Sequence, residues 1–162
     1  MNGPIRQILV YIDGTEGSIT AAQYAVCLSR SAGAALTALY VINTRALDDL
    51  VKSRIFLREE QQEYERDLTT DAERYMNHVR ELGRQKGITI DTAIASGTVH
   101  QEIRKAVDDR GVDLLVLGEL AHIRSRRDAL YDEAERAMRS AHCSILIVKD
   151  QERVWELFES LS

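Results

Sequence analysis

Short apolar runs along the chain alternate with longer segments in which apolar residues recur every three or four positions. Ile8-Leu-Val-Tyr-Ile12 is continuous and closes at Asp13-Gly14, the pattern of a strand buried on both faces with a turn at its carboxyl end. Ala21, Ala22, Ala25, Val26 and Leu28 then fall at helical spacing. A helix is expected there, with Ser18 or Thr20 as its cap and Gly33 as its stop. Residues 36–42 read as a second strand. From about Leu57, the residues Tyr64, Leu68, Ala72, Tyr75, Met76, Val79 and Leu82 mark one long amphipathic helix ending near Gly83 or Gly87.

The alternation continues to the end of the chain. Residues 88–95 form a third strand, Gly97 introduces a helix whose inward face is Ile103, Ala106 and Val107, and residues 112–117 form a fourth strand. Asp132 with Glu135 makes a capping-box-like start to a helix over 134–141, before the last strand, Ser144-Ile-Leu-Ile-Val148. This order predicts a single-domain α/β fold: a five-stranded, mainly parallel sheet with helices on both faces and right-handed crossovers. A ligand crevice in such a sheet lies outside the strand carboxyl ends. Asp13, Asn43, Ser96-Gly97 and Gly118 all map there.

Two segments stand apart from this pattern. Residues 44–63 contain Ala46-Leu-Asp-Asp-Leu-Val51 and Ile55-Phe-Leu57, and read either as a segment that covers the cleft or meets a partner, or as an irregular surface connection. After Lys149, the residues Val154, Trp155, Leu157, Phe158 and Leu161 fall largely on one helical face. Residues 1–150 are therefore expected to form the domain, and 151–162 a helical tail that packs on it or across a dimer.

Composition narrows the function classes. A length of 162 residues suits one domain, and a net charge of -5 argues against a general nucleic-acid-binding surface. No window approaches the ~18 apolar residues of a membrane span, and Met1-Asn-Gly-Pro-Ile-Arg6 lacks the apolar core of a signal peptide. A cytoplasmic protein is expected, with neither membrane nor nucleic acid as a partner. Cys27 and Cys143 belong to no metal or CxxC spacing and read as buried free thiols. His78, His100, His122 and His142 are scattered over different elements, so no metal is expected. Gly14-x-x-Gly17 lacks the lysine and spacing of a P-loop. Asp13 has no nucleophile or second carboxylate linked to it by spacing, and reads as the acceptor in the turn Asp13-Gly-Thr-Glu-Gly17. No catalytic residue is assigned, and an enzyme is not expected.

Five blocks in order resemble the universal stress protein family. They are Ile8-Leu-Val-Tyr-Ile-Asp13-Gly-Thr-Glu-Gly-Ser18, Ala38-Leu-Tyr-Val-Ile42, Gly97-Thr-Val-His-Gln-Glu-Ile103, Asp113-Leu-Leu-Val-Leu-Gly118 and Ala134-Glu-Arg-Ala-Met-Arg-Ser-Ala-His-Cys-Ser-Ile-Leu-Ile-Val148. The resemblance spans about residues 5–149. It implies a Rossmann-like fold of adenine-nucleotide-binding type and a homodimer, often paired along the last strand, here residues 144–148. It also implies an ATP site built from an aspartate after the first strand, the second strand, and a loop of pattern G-x2-G-x9-G-[ST] after the fourth. By that resemblance Asp13 matches the aspartate, Val41 the adenine-contacting position and Gly118 the first loop glycine.

The rest of the loop departs from the pattern at unchanged length. Ala121 stands for the second glycine, Tyr131 for the third and Asp132 for the Ser/Thr, and no glycine lies between Gly118 and the helix. A glycine lets backbone N–H groups approach a phosphate, whereas a tyrosine adds bulk. Asp132 sets a carboxylate at a helix N-terminus, where a phosphate would lie. Like charges ~4 Å apart repel by roughly 1 kcal/mol in water and roughly 4 kcal/mol at an effective dielectric of 20, out of ~8 kcal/mol for a micromolar ligand. Ala121, Tyr131 and Asp132 are thus expected to block the phosphate site.

A second reading rests on His122, Arg124, Arg126 and Arg127, because arginines can hold phosphate without a glycine-rich backbone. The expectation from the sequence is a universal-stress-type regulatory or interaction homodimer with an unknown protein partner, a degenerate ATP loop and no cofactor. The alternatives are a stress sensor binding ATP, AMP or a cyclic nucleotide through Asp13, Val41, Gly118 and the arginine loop, and a nucleotide hydrolase.

Overall fold

The computed structural model describes residues 3–54, 57–119 and 133–162. In chain order these form β1 (Gln7–Ile12), α1 (Glu16–Ala32), β2 (Ala35–Ile42), α2 (Thr44–Lys52), α3 (Arg58–Gln85), β3 (Ile90–Ser96), α4 (Val99–Asp109), β4 (Leu114–Leu117), α5 (Glu133–Ser140), β5 (Ser144–Ile147) and α6 (Gln151–Ser160). The strands make one sheet in the order β3-β2-β1-β4-β5, and every neighbouring pair is parallel. No helix among the described residues is long and apolar enough to cross a membrane.

Pleating divides each strand between two cores. Ile8, Val10 and Ile12 of β1 join Val26 of α1, Met76 of α3 and Phe158 of α6 on one face. Leu9 and Tyr11 join Ile103 and Val107 of α4 and Ala137 of α5 on the other. Alternate side chains point to opposite faces, so a strand that is apolar throughout must be covered twice. Each fully buried Leu, Ile or Val contributes about 1.5–3 kcal/mol. The Asp113 carboxylate fastens the foot of the sheet by accepting hydrogen bonds from the backbone N–H of Arg6 (2.8 Å) and Gln7 (2.9 Å). Those two hydrogen bonds hold its carboxyl below the usual range.

Three local expectations need correction. Helix α1 begins a turn earlier than Ser18 or Thr20: Thr15 is the cap, and its Oγ1 accepts from the Ser18 N–H at 3.2 Å. The Ser18 and Thr20 hydroxyls lie inside the helix and donate to the carbonyls of Thr15 and Glu16, the usual recourse of such side chains within a first turn.

The segment from residue 44 is partly helical. The Asn43 side chain caps α2 by accepting from the Ala46 N–H (3.1 Å), and Gln61 of α3 donates to Asp48 at 2.6 Å. Only Leu47 of that helix is buried, although Ala46, Leu47, Leu50 and Val51 recur at helical spacing.

The apolar stripe of the tail divides. Val154 and Phe158 are buried while Trp155 and Leu157 are exposed, because α6 meets the domain along a narrow strip of residues four apart. Arg30 donates to the Ser162 carbonyl at 2.6 Å. Lys86 donates to the Leu161 carbonyl at 2.8 Å, and its ammonium lies 4.8 Å from the centre of the Phe158 ring. Phe158 is 2% exposed, so Phe158→Ala is expected to destabilise the whole domain by about 3–5 kcal/mol. Urea denaturation checks this, and an unchanged midpoint would show that α6 adds nothing to the core.

Candidate functional site

The carboxyl ends of β1 to β4 lead into Asp13, Asn43, Gly97 and Gly118 at one end of the sheet. Asp13 Oδ1 accepts from the Thr15 backbone N–H at 3.0 Å and from its hydroxyl at 2.6 Å, so this carboxylate closes the turn that starts α1. Tyr75 of α3 lies over the turn: a Cβ on Gly14, whose φ is +85°, would sit 2.8 Å from its ring. Tyr75 also stacks on Tyr40, with ring centroids 6.0 Å apart and planes 17° from parallel. Behind them, a Cβ on Gly118 would lie 2.5 Å from the Gly17 carbonyl oxygen. The first turn of α1 therefore rests directly on the end of β4, a contact that only glycine at 118 allows.

On the other face, the first turns of α4 and α5 converge. Glu133 Oε2 accepts from the His100 backbone N–H at 3.0 Å and pairs with His100 Nδ1 at 2.7 Å. Thr98, the cap residue of α4, makes no side-chain capping bond. The Glu133 carboxylate thus serves in its place, taking one of the N–H donors that open a helix and attract anions. Burial opposes its charge, but the hydrogen bonds from the His100 backbone and imidazole, with the charges of His100 and Arg136, outweigh burial and hold the carboxyl below its usual range.

Beneath this contact, Tyr11, Val41, Val99 and Ala137 share one apolar cluster. Tyr11 is 9% exposed. Burial first, then the charge of Asp13, the neighbouring Tyr40 and the charge of Glu133 push its hydroxyl far above the usual tyrosine range. The ring is a neutral filler in the cluster that also holds Val41. Burial likewise raises the Cys27 and Cys143 thiols, so neither is a ready nucleophile. No group of three or more His, Cys, Asp or Glu side chains is placed to hold a metal among the described residues.

Of the residues singled out from the sequence, Asp13, Val41 and Gly118 are thus brought to the same end of the sheet. Ala121, His122, Arg124, Arg126, Arg127, Tyr131 and Asp132 lie outside the described residues. His100, taken from the sequence as one of several scattered histidines, instead meets Glu133 across the crevice. Glu135 pairs with Arg139 at 2.8 Å. Glu133 lies in none of the family blocks, and Tyr11 reads from the sequence only as an apolar position of the first strand. Their only signal is position: an aromatic ring on the face of β1 shared with Val41, and an acid at the start of α5.

The sequence profile described as Universal stress protein family matches residues 4–149. The curated relative MJ0531 of Methanocaldococcus jannaschii, a universal stress protein, is 26% identical over 150 residues, covering 89% of this chain and 82% of the relative. Universal stress protein UspA from Lactobacillus plantarum shares the fold with a TM-score of 0.72 at 22% identity, over 91% of this chain and 100% of that one. A family protein from Arabidopsis thaliana, solved with AMP bound, aligns with a TM-score of 0.64 at 14% identity, over 91% of this chain and 94% of that one. With a profile match over nearly its whole length, the five-stranded sheet and the placement of Asp13, Val41 and Gly118, the chain belongs to the universal stress protein family.

Proposed function

We propose that this protein is a regulatory or interaction module, working as a homodimer, whose nucleotide crevice is closed by its own side chains, and that it is not a catalyst. The observation that carries this reading is the Glu133 carboxylate on the His100 N–H. A free N–H at the start of a helix is the kind of donor an anionic ligand uses, and here the chain supplies the anion. A phosphate brought within ~4 Å of that carboxylate meets a repulsion of roughly 4 kcal/mol at an effective dielectric of 20. The Tyr11 ring supports the same reading on the base side, because it fills volume in the apolar cluster that also holds Val41, the position that resembles an adenine contact. Tyr131 and Asp132 in the loop add bulk and charge where the family pattern has glycine and Ser/Thr.

A second reading, a sensor of ATP, AMP or a cyclic nucleotide, is favoured by the AMP bound in the Arabidopsis thaliana protein of the same fold. The arginines at 124, 126 and 127 are its phosphate clamp.

The homodimer is proposed to form along β5. That strand pairs with β4 on one side only, and its Ile145, Leu146 and Ile147 are half-buried, which leaves an edge suited to pairing with another chain.

Calorimetric titration with Mg-ATP separates the two readings of the crevice. No binding heat is expected from the unmodified protein, and binding is expected to appear once Glu133→Gln, which removes the charge on the His100 N–H, is combined with Tyr131→Gly and Asp132→Ser; tight binding by the unmodified protein would overturn the closed-crevice reading. For the dimer, sedimentation across a dilution series is expected to show Ile145→Lys, Ile147→Lys protein dissociating at concentrations where the unmodified protein stays paired. A double variant that remains folded and fully dimeric would remove β5 as the interface.

A further inference from the structure

Helix α6 holds the domain through Val154 and Phe158, yet on its flank it carries Trp155 with 53% of its surface exposed. Packing does not need this indole, and a half-exposed tryptophan is the residue type most enriched at binding surfaces. Trp155 borders a trough of about 540 Å³ between α6 and α1, lined also by Glu16, Ile19, Gln23 and Glu152. Glu16, Ile19 and Gln23 are spaced to share one side of α1, so the trough is built from two helices rather than from a loop. A smaller pocket of about 370 Å³ shares Glu16 with it and extends it past Glu119 and Asp150.

The charge around the trough has one dominant sign. Among the described residues, Glu16, Glu119, Asp150 and Glu152 line it against the one cation Lys149. Exposed Glu156 and Glu159 lie one turn further along α6, four residues after Glu152 and Trp155 respectively, outside the lining of the trough itself. An apolar floor with a carboxylate rim fits a segment that is apolar on one face and rich in lysine and arginine on the other. Trp155 itself suits a basic partner, because its face attracts an ammonium or guanidinium. The rim repels anionic lipid. It also disfavours a second copy of this chain, since an isologous contact sets each rim against itself.

We propose that the trough between α1 and α6 is the docking site for a basic amphipathic segment of a partner protein. The proposal rests on the reading of this chain as an interaction module and supplies the class of partner which that reading leaves open.

Trp155 is the only tryptophan in the chain, so emission excited selectively at the indole, apart from the 6 tyrosines, reports on this trough alone. The probe is a synthetic amphipathic helix of leucine and lysine, with its leucine–glutamate counterpart as the comparison. The basic peptide is expected to shift Trp155 emission to the blue and to saturate at one peptide per chain, while the acidic peptide leaves it unchanged. Glu152→Lys, Glu156→Lys protein is expected to bind at least about tenfold more weakly. The control variant Glu63→Lys, Glu73→Lys, on exposed positions of α3, is expected to keep full affinity.

Three outcomes overturn the proposal: no emission change with the basic peptide, an equal loss in the α3 variant, or emission that is already blue in concentrated protein and reddens on dilution. The last would mean that a second copy covers the trough. Mg-ATP calorimetry on the same preparation keeps the two readings apart, because nucleotide binding by protein that also takes the basic peptide removes the closed crevice and leaves the docking site standing.

Discussion

Strand β1 is apolar on both faces, with Ile8, Leu9, Val10 and Ile12 no more than 1% exposed, and a strand of that kind is stable only between two helical layers. Much of the molecule follows from meeting that demand within a single parallel sheet. α1 and α3 cover the first face, α4 and α5 the second, and parallel pairing brings every strand-to-helix turn to the same end. α4 and α5 share one face of neighbouring strands, so their first turns meet there and bring Glu133 to His100. The meeting of Glu133 with His100 is thus a consequence of how the core is covered.

The fold was largely legible because its signals are local and repeated. The continuous apolar run of β1, the helical spacing from Ala21 to Leu28 and the long amphipathic pattern of α3 each stand out without reference to any other part of the chain. α2 was passed over although Leu47, Leu50 and Val51 fall at helical spacing, because nine residues within a long connection give a period of barely two turns. The site was legible only where a strand end supplies it, as at Asp13, Val41 and Gly118. Glu133 and His100 are far apart in sequence and belong to different helices, and what joins them is the pairing order of the sheet. No spacing within either segment encodes that contact. The division of the tail into a buried and an exposed half was equally hidden, because helical spacing shows which residues share a side but not how wide the contact is.

The two halves of the account meet at the first turn of α1. Gly118 lets β4 end directly against Gly17, and Thr15 caps the helix while holding the Asp13 carboxylate. That same turn presents Glu16 to the trough beside Trp155. One short segment therefore joins the crevice resembling a nucleotide site to the surface proposed for a protein partner.

The most direct test of the closed crevice is a crystal structure of the protein grown in saturating Mg-ATP, read at the His100 amide. The account predicts Glu133 Oε2 still within hydrogen-bond distance of that nitrogen, the Tyr11 ring in the cluster that also holds Val41, and no nucleotide between them. A nucleotide in the crevice, with a phosphate oxygen on the His100 N–H and Glu133 turned away, would contradict it.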